Sequence, residues 1–260
     1  MATRDPGEIW NQSAEEGERR LSRSATGLLA TGLVGGLDVM VGILALTVTT
    51  GAMHLVMPEA TAHLLGSLTF GIGFVFLVVG RSELFTENFM VPISAALRRQ
   101  AGGAALLRLW VGTLIGNLVG LALLALILSR AGLVPPEALD AAGSLAETFA
   151  DRSVGAALLS AIVAGAVMTL MTWLVHAADT DIARIWIALL VGFVLAAPSL
   201  NHAVVSFGEM SFGILADTGH AGWGDLAQNF PIAVVGNLVG GFVFVTIARF
   251  VQIRGEPGED

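Results

Sequence analysis

The sequence contains no cysteine. Disulfide bonds, thiolate catalysis and cysteine-ligated metals are therefore excluded, and cysteine usage says nothing about the redox compartment. All 13 basic residues are arginine, and they form no basic cluster of the kind that binds nucleic acid. Charge of either sign is scarce, since 13% of residues are charged, against roughly 25% in soluble domains. This scarcity indicates a chain that lies in a membrane rather than in water.

Long apolar segments make up most of the chain. Hydrophobic residues account for 55% of it, and the mean hydropathy is +0.78. A membrane-spanning helix needs about 20 apolar residues, and the segments that meet this length are 26–50, 63–92, 109–129, 154–176, 183–207 and 230–252. They predict an all-α membrane protein with six transmembrane helices over 26–252. A cytoplasmic leader (1–25) is expected before this transmembrane domain, and a disordered cytoplasmic tail (253–260) after it.

Arginine placement predicts the orientation. If the N-terminus is inside, only Arg130 and Arg152 fall outside, and Arg81 lies within a span. The inside would hold Arg4, Arg19, Arg20, Arg23, Arg98, Arg99, Arg108, Arg184, Arg249 and Arg254. This excess satisfies the positive-inside rule. Both termini are therefore expected in the cytoplasm, with the chain in a bacterial inner membrane.

Two features indicate an internal repeat. The motif Gly-Asn-Leu-Val-Gly starts at Gly116 in the third segment and again at Gly236 in the sixth, 120 residues later. The second and fifth segments are each interrupted by polar and helix-breaking residues, and Thr86 and His202 in these interruptions are 116 residues apart. The similar offsets predict a duplication of three spans. Because three is odd, the two halves must have inverted topology.

Paired broken helices in inverted halves indicate a pathway at the repeat interface. The breaks are expected at about 81–88 and 199–207. Irregular backbone at membrane depth persists only where protein or a water-filled cavity satisfies its N–H and C=O groups. Re-entrant loops without a passage are the alternative. Asn117 and Asn237 of the repeated motif are assigned to helix packing and to hydrogen bonds with neighbouring backbone.

These residues resemble the formate/nitrite transporter family. The resemblance rests on Glu83-Leu84-Phe85-Thr86 with Asn88, on Asn201-His202, and on Asn229-Phe230-Pro231 with the second Gly-Asn-Leu-Val-Gly-Gly block, and it covers about 26–252. It implies an aquaporin-like protomer with broken second and fifth helices, and a homopentamer with one pore per protomer. It also implies passage of small monovalent anions such as formate or nitrite, without a cofactor.

The chain departs from the family pattern at three places. Asn201 stands where a glutamate usually precedes the family's central histidine, and Gly165 aligns with an asparagine that commonly faces that histidine. The family's vestibule lysine before the fourth span is missing, and Arg152 is the nearest substitute. These departures bear on the substrate rather than on the fold.

His202 is the first candidate for the pore, because a buried polar side chain in a span is costly and needs a reason. It could donate a hydrogen bond or a proton to a passing anion, or it could only tie the break to a backbone carbonyl. Thr86 occupies the matching break and could face His202 or cap a helix. Asn201 is also assigned to the pore. Apolar constrictions are expected from Leu84, Phe85, Phe74, Phe76 and Leu195.

Four accessory polar residues complete the prediction. Glu83 and Glu87 are interpreted as partners of Arg81 or of exposed amides in the following half-helix. Asp38 lies in the first span, where it is either functional or a hydrogen-bond partner of a broken helix. Arg152 is the fourth. No metal site is predicted.

Three functions remain open. The first is passage of a small anion or its conjugate weak acid. The second is a pore for neutral solutes such as water, ammonia or undissociated acids, which the missing lysine and the net charge of −8 make credible. The third is a membrane-embedded enzyme using Glu83, Glu87 and His202, although no His-Glu-x-x-His, Gly-x-Ser-x-Gly or phosphate-loop motif is present. They rank in that order.

Overall fold

The computed structural model describes residues 4–98, 102–130 and 132–255. Arg99 and the predicted tail beyond Gly255 lie outside these residues. Every regular element within them is helical. The helices are α1 (Pro6–Leu21), α2 (Ala25–His54), α3 (Glu59–Gly80), α4 (Val91–Leu97), α5 (Gly103–Arg130), α6 (Pro136–Ala150), α7 (Val154–Ala177), α8 (Asp181–Ala196), α9 (Ala203–Ala216), α10 (Trp223–Leu238) and α11 (Ala248–Arg254), with a 3-10 turn at Phe85–Phe89 and a π-helical stretch at Val239–Ile247.

Five helical segments of the described chain are long and apolar enough to cross a membrane. They are α2, α3, α5, α7 and the continuous segment Trp223–Arg254, which joins α10 to α11. Large apolar side chains remain exposed along them, as expected for surfaces that face lipid rather than water. The chain is an integral membrane protein.

The second apolar segment is interrupted after α3. Arg81 has left-handed backbone (φ 58°), which ends the helix, and α-helix resumes only at Val91. The fifth segment is divided in the same way between α8 and α9, and Ser199 in the gap also has positive φ (48°).

The second interruption is shorter than the predicted 199–207, because α9 begins at Ala203 and continues to Ala216. His202 explains the early start. Its Nδ1 accepts a hydrogen bond from the Val205 backbone N–H at 3.2 Å and so caps the helix.

Two helix pairs approach until their backbones touch. A Cβ added to Gly36 of α2 would lie 2.1 Å from the carbonyl oxygen of Asn117, and one added to Gly165 of α7 would lie 2.2 Å from that of Asn237. Small residues at such crossings are typical of membrane helix pairs. No side chain fits at position 165, so the departure from the family's asparagine has a packing reason.

Both ends of the described chain lie on one side of the molecule. The amphipathic leader helix α1 packs against α4 and α11, with the rings of Trp10 and Phe250 5.7 Å apart. Helix α11 extends through Arg254 and buries Ile253, so the first two residues of the predicted tail lie in this helix. The opposite side carries α6, a helix that the sequence reading missed.

Candidate functional site

Thr86 and His202 meet at the centre of the protein. Thr86 Oγ1 and His202 Nε2 are 2.8 Å apart, and both residues are 0% exposed. Thr86 lies in the 3-10 turn that follows α3, and His202 precedes α9, so the two interruptions meet at this bond. Of the predicted pore residues, these two are brought into direct contact.

The hydrogen bonds of His202 define its tautomer. Nδ1 accepts from the Val205 backbone N–H, so Nε2 carries the proton and donates it to the Thr86 hydroxyl oxygen. The hydroxyl hydrogen of Thr86 is not used in this bond. The pair can therefore offer one hydroxyl donor to a solute without breaking the helix cap.

Asn117 holds the first interruption in place. Its Oδ1 accepts from the Phe85 backbone N–H at 2.9 Å, and its Nδ2 donates to the carbonyl oxygens of Gly32 at 2.7 Å and Glu83 at 2.8 Å. The Asn side chain thus satisfies backbone groups freed by the end of α3, which would otherwise be costly at membrane depth.

Asn237 makes the corresponding bonds in the second interruption. Its Oδ1 accepts from the Ala203 backbone N–H at 2.8 Å, and its Nδ2 donates to the carbonyl oxygens of Ala161 at 2.8 Å and Asn201 at 3.0 Å. Both asparagines of the repeated motif therefore have the structural role assigned to them.

Arg20 of the leader helix, rather than Arg81, pairs with the two glutamates near the first break. Its Nε lies 3.0 Å from Glu83 Oε1, and its Nη1 lies 3.5 Å from Glu87 Oε2. Arg23 also contacts Glu83, and the Glu87 carboxylate accepts from the Leu84 backbone N–H at 3.2 Å. The prediction that these glutamates bind exposed backbone amides therefore agrees with the structure at Glu87. The predicted partner Arg81 is wrong, because Arg20 takes that place.

Three other predicted polar residues brace the interruptions. Asp38 accepts a hydrogen bond from the Ser82 hydroxyl, directly after α3. Arg152 Nη1 donates to the Ser199 carbonyl oxygen at 3.0 Å. The Asn201 side chain forms a reciprocal amide pair with Asn229, at 2.8 and 3.0 Å. We therefore move Asn201 from the pore lining to the support of the second break.

The predicted constriction residues fall into two groups. Leu84, Phe85, Phe74 and Leu195 are buried in a single hydrophobic cluster, with Leu84 and Phe85 next to Thr86 in the chain. Phe76 is 52% exposed, on the same face of α3 as the exposed Ile72 and Val79. Phe76 does not fit a constriction, and we leave it out.

Two cavities reach the interruptions from opposite sides. The first, about 480 Å³, lies beside α1 and is lined by Ser82 and Glu83 of the first break. The second, about 690 Å³, contains His54 at the far end of α2 and is lined by Pro198 and Ser199 of the second break. Because α2 has 30 residues, it is about 45 Å long, and its ends lie on opposite sides. Neither cavity reaches the central Thr86–His202 pair.

A buried carboxylate, Glu209, was missed by the sequence reading. It is 3% exposed on α9, two turns beyond His202. The predicted fifth span ended at 207, which left Glu209 outside it. A buried ionisable residue in a span would have been a functional candidate.

A histidine links two loops on the side opposite the termini. His220 Nε2 lies 2.9 Å from Asp151 Oδ1, and its Nδ1 lies 2.7 Å from Glu147 Oε1. The hydrogen bond and charge of Asp151, with the charge of Glu147, raise the pKa of His220 above its ordinary value. The protonated form therefore ties the α9–α10 loop to the end of α6.

This link should make stability depend on pH. Histidine in an unfolded chain titrates near about 6.5. Because the folded pKa is raised, the stabilisation is complete below that value and is lost as pH rises through the folded pKa. In detergent at low pH, we expect wild type to melt at a higher temperature than His220→Gln. The difference between the two should shrink as the pH rises through the folded pKa of His220. An equal difference at all pH values would contradict the assignment.

The fold and the buried site define a helical membrane channel or transporter. Residues 7–251 match the sequence profile described as "Formate/nitrite transporter". The chain belongs to the formate/nitrite transporter family, whose members act as channels and transporters rather than enzymes.

Relatives with assigned names agree with this placement. The chain is 28% identical over 257 residues to "Formate channel BtFdhC" of Bacillus thuringiensis, covering 96% of each chain. It is 30% identical over 235 residues to a "Probable formate transporter" of Methanothermobacter thermautotrophicus, covering 82% of this chain and 83% of that one. It is also 25% identical over 245 residues to "Inner membrane protein YfdC" of Escherichia coli, covering 93% and 77%.

Solved structures share the fold. An "FNT family ion channel" superposes with a TM-score of 0.82 at 19% identity, covering 95% of this chain and 99% of that one. A "Pentameric formate channel with formate bound" superposes with a TM-score of 0.72 at 20% identity, covering 88% and 98%.

Proposed function

We propose that each protomer passes small monovalent anions such as formate or nitrite, or their conjugate weak acids, along a pathway that crosses the Thr86–His202 pair. The observation that carries the proposal is this buried 2.8 Å bond between two cavities that enter from opposite sides. A solute moving from one cavity to the other must pass the pair. Leu84, Phe85, Phe74 and Leu195 form the apolar constriction around it, which excludes hydrated ions.

The centre favours negative charge on a solute. Helix α9 begins at Ala203, so its N-terminus and partial positive charge are directed at the centre. The Thr86 hydroxyl and the His202 Nε2–H are hydrogen-bond donors. An anion there gains the hydroxyl hydrogen of Thr86, because the His202 Nε2–H is already bonded to the Thr86 oxygen. To discharge the anion, His202 first takes up a second proton at Nδ1 and releases the Val205 N–H. The imidazolium then passes a proton through the Thr86 hydroxyl to the anion and returns to the neutral ring, before the solute crosses the apolar constriction, where charge is most costly.

The protomer architecture we propose has six spans in two inverted halves. Helices α8 and α9 together form the sixth span, in the fifth position along the chain. The matched bonds of Asn117 and Asn237 support the inverted repeat, because each asparagine satisfies one backbone N–H and one carbonyl of its own interruption. The pentameric neighbour supports a homopentamer, and the arginine distribution supports cytoplasmic termini in an inner membrane.

Flux into proteoliposomes tests this function. We expect formate and nitrite to enter faster with the protein than without it, and faster at acidic pH. Water and ammonia, measured in the same vesicles, test the neutral-solute pore. Water and ammonia flux without formate or nitrite flux, at both acidic and neutral pH, would contradict the proposal and favour the neutral-solute pore.

A further inference from the structure

The two cavities carry opposite charge. Five arginines and three glutamates line the first cavity. The second cavity is lined by the carboxylates of Glu59, Glu137 and Asp140 and, within the described ranges, by no arginine. Carboxylates are negative at neutral pH. The entrance opposite the termini is therefore negative, and the entrance beside the termini is positive.

The three carboxylates of the second cavity are not neutralised by neighbours. None forms an ion pair with another described residue. Arg152 directs Nη1 to the Ser199 carbonyl oxygen and the Ser160 hydroxyl instead. His54 and His63 also line this cavity, and they add positive charge only when protonated.

We infer that Glu59, Glu137 and Asp140 are specificity-determining residues, which make the second cavity admit the substrate as its uncharged conjugate acid in preference to the anion. This inference rests on the proposed function, and it specifies the protonation state in which the substrate enters the second cavity. Rings of acidic side chains repel anions in channels, and basic ones attract them. The first cavity, with its arginines, accepts the anion on the other side.

Nitrate current across planar bilayers tests the inference, because nitrate remains anionic at every pH used. Charged clefts change local ion concentrations by about tenfold or more. The triple variant Glu59→Gln/Glu137→Gln/Asp140→Asn should therefore raise nitrate current about tenfold in low salt. In about 1 M salt the Debye length falls to about 3 Å, and most of the gain should disappear.

Two matched variants distinguish the effect of charge inside the second cavity from the effect of charge elsewhere on the same surface. Asp140→Asn should raise the current, whereas Asp217→Asn, on the same side but outside the cavity, should leave it unchanged. Arg81→Gln in the first cavity should have the opposite effect, because Arg81 forms no ion pair with the described residues and its charge faces the solute.

The outcomes distinguish this inference from the function on which it rests. Formate flux in wild type together with unchanged nitrate current in the triple variant overturns the inference alone. An equal increase with Asp217→Asn also overturns it. Absence of formate and nitrite flux in wild type at every pH overturns the proposed function and the inference with it.

Discussion

His202→Asn is expected to remove the pH dependence of formate or nitrite flux while the protein remains folded. A proton-linked flux should change roughly tenfold per pH unit in the range where proton supply limits it. Asparagine keeps a hydrogen-bond donor near Thr86 but cannot exchange a proton as imidazole does. It is also a good N-cap residue, so the start of α9 at Ala203 is preserved. The measurement is initial flux in proteoliposomes over a pH series.

Two controls make the His202 result interpretable. His220→Asn makes the same chemical change on an exposed histidine outside both cavities, and its flux should retain the pH dependence. The melting temperature of each variant reports folding. If His202 only ties the break, asparagine can replace it as the cap, and His202→Asn should keep pH-dependent flux. Unaltered pH dependence of flux in a well-folded His202→Asn protein would therefore contradict the hypothesis that His202 relays protons.

The second large effect concerns stability. Asn237→Ala should lower the free energy of unfolding by about 3 kcal/mol, because it leaves the buried Ala203 N–H and Asn201 carbonyl without partners and removes a second bond to the Ala161 carbonyl of α7. Membrane hydrogen bonds average less than this individually, but here one side chain makes all three. Asn117→Ala should have a similar effect through the first interruption. Unfolding in mixed micelles of rising denaturing detergent measures both.

A variant on the same helix provides the reference for these losses. Val235→Ala changes a residue of α10 that is 55% exposed, and it should cost less than about 0.5 kcal/mol. If Asn237→Ala costs no more than Val235→Ala, the asparagine does not hold the break. A large loss at Asn237 with none at Asn117 would contradict the proposed equivalence of the two halves.

Local sequence patterns predicted the central pair. Thr86 and His202 are paired because each lies within a stretch of polar and helix-breaking residues that interrupts an apolar run. The two repeated motifs place an asparagine at a similar distance along the chain after each interruption, 31 residues after Thr86 and 35 residues after His202. Such signals are local or periodic, so they can be read without knowing which helices touch.

Long-range pairings carried no such signal. The bond from Arg20 to Glu83 joins the leader to the second segment, and Arg81 was simply nearer in sequence. Only the three-dimensional packing of α1 against α4 brings Arg20 to the glutamates. The same reason explains why Asn229 was not recognised as the partner of Asn201.

Two further differences between the prediction and the structure, helix α6 and the position of Phe76, concern sequence signals within a single helix. Helix α6 buries Ala138, Ala142, Leu145 and Phe149, a helical spacing that was available in the sequence. Phe76 is predicted in a constriction because it is a large apolar residue near the polar centre, but the sequence of one helix does not show which of its faces is directed at the pathway.

The Arg20 contacts have a consequence for biosynthesis. Arg20 leaves the ribosome before Glu83 and Glu87, so the leader helix that pairs with both carboxylates is already made when the second segment reaches the membrane. Docking of α1 can therefore accompany insertion of that segment and spare the bilayer two unpaired acids.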